Sequence, residues 1–414
     1  MRSMAKWLAL SGATLLAACG GDTGVQTVGS AAPPTGSTAT PTPTHTFVVP
    51  TDTKTYEAIG AVQHYQYSTR SDGSGQSDQL YAGDANTVRD SGISVTYNPR
   101  DAIFELTISR PLAEVSVTAF RFQDPAHRTA FGGSASPQAG VPQLAASKDI
   151  RYLESGSGSG AQLTGGTYYT AAAAASDYVV GDVGYSSTSS TFFYQKPGTK
   201  TNYVTYAGFV RNTVSATEQQ DNATSPLYLR QTYSFDRGAF VFGERTANSA
   251  VPRTGSGTYT GDMLATMIYN PTLDDPSPYP SYFQWIEGTQ DTTINFATLS
   301  VMSNFSGVVK GPTRDAYTNG LAMLANGTTF SAYADATIDL VNKGGFTGTF
   351  GCAAFGAACV RGSALPAGRI TIAGSSIDGA FFGPNGEEIG GGFRIVGGTP
   401  DQRIDILGTF TGKK

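Results

Sequence analysis

Two adjacent carboxylates, Glu387 and Glu388, stand in Asp378-Gly-Ala-Phe-Phe-Gly-Pro-Asn-Gly-Glu-Glu-Ile-Gly-Gly391, and a carboxylate pair is what a glycosidase needs as acid and base. Neighbours on a strand point to opposite faces, so these two cannot flank one bond. A glutamate accepting backbone N–H bonds at a turn suits the run better, because Gly383-Pro384 and Asn385-Gly386 are turn formers. The chain has three histidines: His45, His64 and His127. None falls in the C-terminal part, which excludes a histidine-based triad or zinc site there. No Gly-x-Ser-x-Gly nucleophile elbow occurs, since Gly156-Ser-Gly-Ser-Gly160 alternates in the wrong phase. No catalytic residue and no cofactor is therefore expected; ligation of haem by a tyrosine, His64 or His127 stays open.

The three cysteines divide between two chemistries. Arg2 and Lys6 precede a largely apolar stretch from Trp7 to Ala18, too short to cross a bilayer and suited to a secretory signal. It ends in Leu16-Ala17-Ala18-Cys19, which resembles the bacterial lipoprotein signal. That resemblance implies cleavage before Cys19, lipidation of its sulfur and, with Gly20 following, residence at the outer membrane. Cys352 and Cys359 remain, close together in a small-residue loop of an exported chain, and are expected to form a local disulfide. A metal site is the alternative, but two thiols without a second pair fall short of a four-ligand cage.

The elements that position these residues are strands. The chain of 414 residues carries 51 Gly, 21 Tyr and 22 Phe but only 14% charged residues, against roughly 25% in an ordinary domain. Gly, Thr, Ser and Tyr favour turns and strands over amphipathic helices. The formal charge of −5 falls to about −7 once residues 1–18 are removed, so no basic field exists to hold nucleic acid. From Gly20 to about Thr53 the composition is that of a disordered tether spanning roughly 30 Å.

Beyond the tether, Ile93-Ser-Val-Thr-Tyr97 and Phe104-Glu-Leu-Thr-Ile108 alternate apolar and polar around Asn98-Pro-Arg-Asp101, which predicts a hairpin. A second hairpin is expected from Thr191–Tyr194 and Tyr203–Tyr206 around Lys196-Pro-Gly198. Between them the pattern suggests a short helix near Leu144 to Leu153 and a mobile loop at Gly156–Gly160. After Val251-Pro-Arg-Thr-Gly-Ser-Gly-Thr-Tyr-Thr-Gly261 come strand-like segments at 293–300, 329–333, 336–341, 345–350, 369–373, 378–382, 392–396 and 404–410. Such spacing predicts a sandwich or a closed barrel. A membrane-spanning barrel is disfavoured, because the segments lack sustained lipid-facing alternation with aromatic girdles and a lipid anchor would be redundant.

The run from Asp378 to Gly391, followed by Phe393, resembles the C-terminal barrel motif of transferrin-binding protein B and its relatives, surface lipoproteins with transferrin-binding-protein-like barrels. Val251–Gly261 looks like the first strand of that barrel, and Ala336-Thr-Ile-Asp-Leu-Val-Asn-Lys-Gly-Gly-Phe-Thr-Gly348 like its middle hairpin. The resemblance covers roughly residues 250 to 414 and extends more loosely upstream, through the Ile93 to Ile108 hairpin and Gly238-Ala-Phe-Val-Phe-Gly243. It implies an all-β chain: a strand-rich handle domain followed by an eight-stranded antiparallel β-barrel. The expected division is a signal peptide at 1–18, a lipidated tether at 19–53, a handle at 54–250 and a barrel at 251–414. The motif occurs once, which matches single-lobe relatives that bind haem proteins or complement regulators rather than the bilobed transferrin binders.

For recognition the sequence offers Tyr269-Asn-Pro-Thr-Leu-Asp-Asp-Pro-Ser-Pro-Tyr-Pro-Ser-Tyr-Phe-Gln-Trp285, where prolines from Pro276 to Pro280 forbid a ladder. Tyr279, Tyr282, Phe283 and Trp285 are hot-spot residue types, and Asp274 and Asp275 would select a basic partner. The competing reading packs the loop back on the barrel, with Trp285 in the next strand. The expected function is that of an outer-membrane-anchored surface lipoprotein binding a protein or protein-carried ligand for iron or haem acquisition. Its partners would be the membrane through lipid and a protein ligand or outer-membrane receptor, with no nucleic acid. The alternative is a structural or envelope-associated lipoprotein with no nutrient ligand.

Overall fold

Strand pairing, antiparallel throughout, organises a computed structural model that describes residues 46–70, 79–85, 88, 91–109, 117–124, 131–133, 141–159, 186–226, 228–270, 282–310, 324–398 and 403–414. The N-terminal strands are β1 (Lys54–Glu57), β2 (Ile59–Arg70), β3 (Gln79–Ala85), β4 (Ile93–Asn98), β5 (Ile103–Ser109), β6 (Val117–Gln123), β7 (Ile150–Ser159), β8 (Ser186–Gln195), β9 (Val204–Gln219) and β10 (Tyr228–Gly243). They form a four-stranded sheet, β1-β4-β5-β6, and a six-stranded sheet, β3-β2-β10-β9-β8-β7. The C-terminal strands are β11 (Ser256–Asn270), β12 (Tyr282–Asn295), β13 (Ser300–Val309), β14 (Thr329–Asp339), β15 (Gly345–Phe355), β16 (Ile372–Phe382), β17 (Glu388–Gly397) and β18 (Arg403–Lys413). They run as a meander and close into an eight-stranded barrel through the pairing of β18 with β11. Closure leaves the barrel no edge on which another chain could nucleate.

The first expected hairpin forms with Tyr97 opposite Phe104, and Asn98 shapes its turn by accepting the Arg100 N–H at 3.0 Å. The second forms between β8 and β9, with Phe192 opposite Phe209. Other segments differ from expectation. Only a 3-10 turn, Ala146–Lys148, stands where a short helix was predicted, and the backbone then enters β7. Gly156 to Ser159 are part of β7 rather than a loop, held by pairing with Ser186–Ser189 on β8. The segment 293–300 is the end of β12 and a turn, while 329–333 and 336–341 belong to a single strand up to Asp339. Pairing along β13 and β15 bridges the polar interruption, which the local pattern could not reveal.

The six-stranded sheet is buried on both faces. Phe192 and Tyr194 point into a core shared with Tyr97, Phe104 and Phe122 of the four-stranded sheet. Phe193 between them points the other way, into a core shared with Leu264 and Trp285 of the barrel wall. That double burial explains why Thr191-Phe-Phe-Tyr194 is apolar without alternation. The barrel itself is filled: Phe305 packs within 5.6 Å, centroid to centroid, of Phe350, Phe393 and Phe410. Several glycines serve this packing, because Phe346 pairs with Gly379 and Phe393 with Gly408, each ring lying across the glycine backbone.

Candidate functional site

Side-chain chemistry concentrates where the six-stranded sheet meets the barrel. Phe283 and Trp285, on β12, are 1% and 0% exposed. Ile286 of the same strand points into the barrel, so Trp285 faces outward by strand alternation and packs edge-on to Phe193 at 5.5 Å. Phe283 packs edge-on to Phe235 at 5.4 Å, and the Arg237 guanidinium lies 5.3 Å from both rings. Neither aromatic is available as contact area for a partner, which corrects their expected place in a recognition loop. The strand begins at Tyr282, just beyond the prolines, and its first outward positions, Phe283 and Trp285, are already covered. Asp274, Asp275 and Tyr279 lie outside the described residues, and Tyr282 is placed only by its backbone, paired with Tyr269.

Beside Trp285 sits a buried polar cluster that sequence reasoning missed. Lys148, from the 3-10 turn, donates to the Gly288 carbonyl at 3.0 Å and lies 3.5 Å from Asp262 and 3.6 Å from Glu287. Glu287 also accepts the Ala145 N–H and the Lys310 ammonium, each at 2.9 Å. Gln195 joins the two sides, donating to the Lys148 carbonyl and to Asp262, both at 3.0 Å. Burial alone would raise the Glu287 pKa, but the Ala145 and Lys310 hydrogen bonds and the Lys148 and Lys310 charges bring it below the ordinary value. Burial, with Asp262 and Glu287 close by, pushes the Tyr206 hydroxyl well up. The available signal was a lone acid inside each apolar run, Asp262 before Met-Leu and Glu287 after Trp-Ile, since buried acids are rare unless paired.

The paired glutamates have separate structural tasks. Glu387 accepts the backbone N–H and the side-chain amide of Asn385, each at 2.9 Å, closing the β16–β17 turn. Glu388 is buried and reaches out of the barrel to the β8–β9 turn, where its carboxylate accepts the N–H groups of Asn202, Tyr203 and Val204 at 2.7, 2.8 and 3.3 Å. Burial raises its pKa against the opposing pull of those bonds and of Lys413. On the outer wall Asp405, fully buried, holds Arg394 through two bonds at 3.0 and 2.7 Å.

Cys352 and Cys359 are joined by a disulfide. It opens a loop, from Gly356 to Arg369, that folds over the outside of β13 and β14. Arg361 fastens the loop, donating to Asp335, Asn304 and the Ala334 carbonyl at 3.0 to 3.1 Å, with its guanidinium 4.7 Å from the Tyr333 ring centre. His64 bonds Asp236 through Nδ1 at 2.9 Å, while His45 and His127 lie outside the described residues, as does Cys19. Among the described residues no group of three or more His, Cys, Asp or Glu side chains is placed to hold a metal.

No protein-family model matches the chain, and no curated protein matches it. Among solved structures the chain is similar to intact Ap-TbpB, N and C lobes, at 13% identity and a TM-score of 0.30, over 86% of this chain and 60% of that one. It is similar to a double mutant of the vaccine antigen transferrin-binding protein B from Haemophilus parasuis Hp5, at 11% identity and a TM-score of 0.29, over 88% and 61%. It is also similar to isotype 1 transferrin-binding protein B from serogroup B Neisseria meningitidis, at 11% identity and a TM-score of 0.22, over 87% and 76%. The chain thus spans about 60% of the length of the first two.

Proposed function

We propose that the protein is a non-enzymatic surface lipoprotein, anchored in the outer membrane through Cys19, whose single lobe binds a protein or a protein-carried ligand for iron or haem acquisition. In this reading it is a single-lobe relative of transferrin-binding protein B. Residues 1–18 are a discarded signal, 19–53 a tether, 54–250 a handle and 251–414 the barrel that presents the recognition surface.

The observation that carries the reading is the buried cluster of Lys148, Asp262 and Glu287 beside Trp285. It holds sheet and barrel in one geometry, with Glu287 five residues along β12 from Tyr282, where the segment between β11 and β12 ends. A binding surface held on a rigid base loses less freedom on association than one on a loose base. With Phe283 and Trp285 committed to the core, recognition falls to Asp274, Asp275, Tyr279 and Tyr282.

The test is a pull-down with the full chain in detergent against purified iron- and haem-carrying serum proteins. One of them should be retained, and Tyr279→Ala with Tyr282→Ala should abolish retention. Failure to retain any, or retention indifferent to both substitutions, would return the protein to the class of structural envelope lipoproteins. In parallel, Cys19→Ala should move the protein from the membrane to the soluble fraction; continued membrane association would sink the anchor.

A further inference from the structure

We infer that the outer wall of the barrel carries a second binding site, a groove that takes an extended acidic peptide segment across the strands. The groove has a volume of about 1070 Å³, and its lining runs from Lys200 on the β8–β9 turn to Val360 and Arg361 of the disulfide loop. Strand register makes its floor continuous. Tyr259 and Met263 point into the barrel, so Thr258, Thr260 and Asp262 point out. Thr260 is paired with Lys413 on one side and Asp291 on the other; Asp291 is paired with Asn304, and Asn304 with Tyr333. A parallel row beside it runs Asp262, Thr289, Ser306 and Ser331. Five strands at about 4.8 Å give a floor of roughly 19 Å, the length of about six extended residues.

The chemistry of the two rows selects the ligand. Lys200, Lys413 and Lys414 line one end, and among the described residues none of the three has an ion-pair partner. Lys413 does lie within electrostatic reach of Glu388, whose carboxylate already takes three N–H groups. Asp262 is neutralised by Lys148 and Arg361 by Asp335. Asp291, exposed in the middle of the floor, is left as the acceptor for donor groups. A ligand with carboxylates towards the lysine end and N–H donors over Asp291 fits, and an extended acidic peptide supplies both. The hydroxyls of Thr260, Thr289 and Ser306 add bonds of either sense. A sugar finds no aromatic platform, because Phe305 is spent inside the barrel and the Tyr333 ring lies under Arg361. The far wall is rigid: the disulfide and the Cys359 N–H bond to Ser331 at 3.0 Å hold it against the floor, with Val360, 55% exposed, available as an apolar anchor. A locally cationic groove on a chain of net charge −5 concentrates an acidic segment at one place rather than over the whole surface.

Fluorescence anisotropy tests this with the full chain in detergent and a fluorescein-labelled decapeptide with four Glu at one end followed by Gly, compared with its Gln–Gly and Lys–Gly counterparts. Saturable binding of the Glu peptide, weakened roughly tenfold by the double substitution Lys200→Gln and Lys413→Gln, is expected for the loss of two charge pairs. Arg361→Ala, which unfastens the loop that forms the far wall, should weaken it as well, whereas Lys343→Gln, at the distant β14–β15 turn, should not. Equal affinity for the three peptides, indifference to the lysine changes, or tighter binding of a heparin oligosaccharide with the same lysine dependence would overturn the assignment. Tyr279→Ala and Tyr282→Ala should leave peptide affinity unchanged, so this site and the loop of the proposed function fail separately.

Discussion

Lys148 and Glu287 meet across the junction between the six-stranded sheet and the barrel with Nζ and Oε1 3.6 Å apart and both side chains about nine-tenths buried. Each belongs to a different structural layer, and each has one further counter-charge in the cluster, Asp262 for Lys148 and Lys310 for Glu287. The pair and its neighbours, like Glu388 with the β8–β9 turn, add directional bonds to the apolar packing of Phe193 against Trp285 that joins the two β layers.

Removing one partner of this pair is expected to be costly. Lys148→Met leaves Asp262 and Glu287 facing each other in a buried site, and should lower unfolding free energy by about 3 kcal/mol, read from the midpoint of chemical denaturation. A loss below about 1 kcal/mol would show that the cluster is solvated.

Glu287 and Glu388 should respond to pH in opposite directions. Glu287 is depressed in the folded state, so its contribution is present above its unfolded pKa and is lost as pH falls through the folded pKa. Glu388 is raised, so the folded state holds its proton more tightly and stability falls as pH rises from the unfolded to the folded pKa. Denaturation midpoints followed from acid to neutral pH should show Glu287→Gln flattening the acid loss and Glu388→Gln removing the opposite slope. Glu388→Gln should also cost about 1–3 kcal/mol, because an amide nitrogen cannot accept the N–H groups that an oxygen now takes.

The Phe393 ring lies across Gly408, leaving no room for a methyl group. Gly408→Ala should destabilise by about 1–3 kcal/mol through overpacking. Combining it with Phe393→Leu, which frees space, should recover part of that loss, and thermal denaturation of the three variants would reveal additivity if the two residues did not interact.

Trp285→Ala should behave as a core truncation, costing about 3–5 kcal/mol and loosening β12 from the six-stranded sheet. Hydrogen exchange would locate the change at β8, which supplies Phe193, as well as at β12. A variant of native stability would mean that the indole is not packed there.

Replacing Cys352 and Cys359 with Ser closes no loop in the unfolded chain, and for a separation of seven residues the chain-entropy estimate is about 2.5 kcal/mol. The expected signature is local: new proteolytic cleavage between Gly356 and Arg369, with the barrel strands still protected.

Composition and period-two alternation were enough to make the chain β-rich and to pair Ile93–Tyr97 with Phe104–Ile108 around Asn98, and the short spacing of Cys352 and Cys359 in a chain read as exported was enough to expect their bond, because each depends on residues close in sequence. The structural reading of Glu387 and Glu388 was also accessible, since neighbours on a strand cannot share one target. Tertiary structure alone decided that Phe283 and Trp285 are core residues, that Lys148 has two acids beside it, and that Lys413, Thr260, Asp291 and Asn304 form one row. Alternation tells which residues share a face but not which face is covered or what lies opposite. Those answers come from register between strands as distant as β11 and β18, and from a second sheet laid against the barrel.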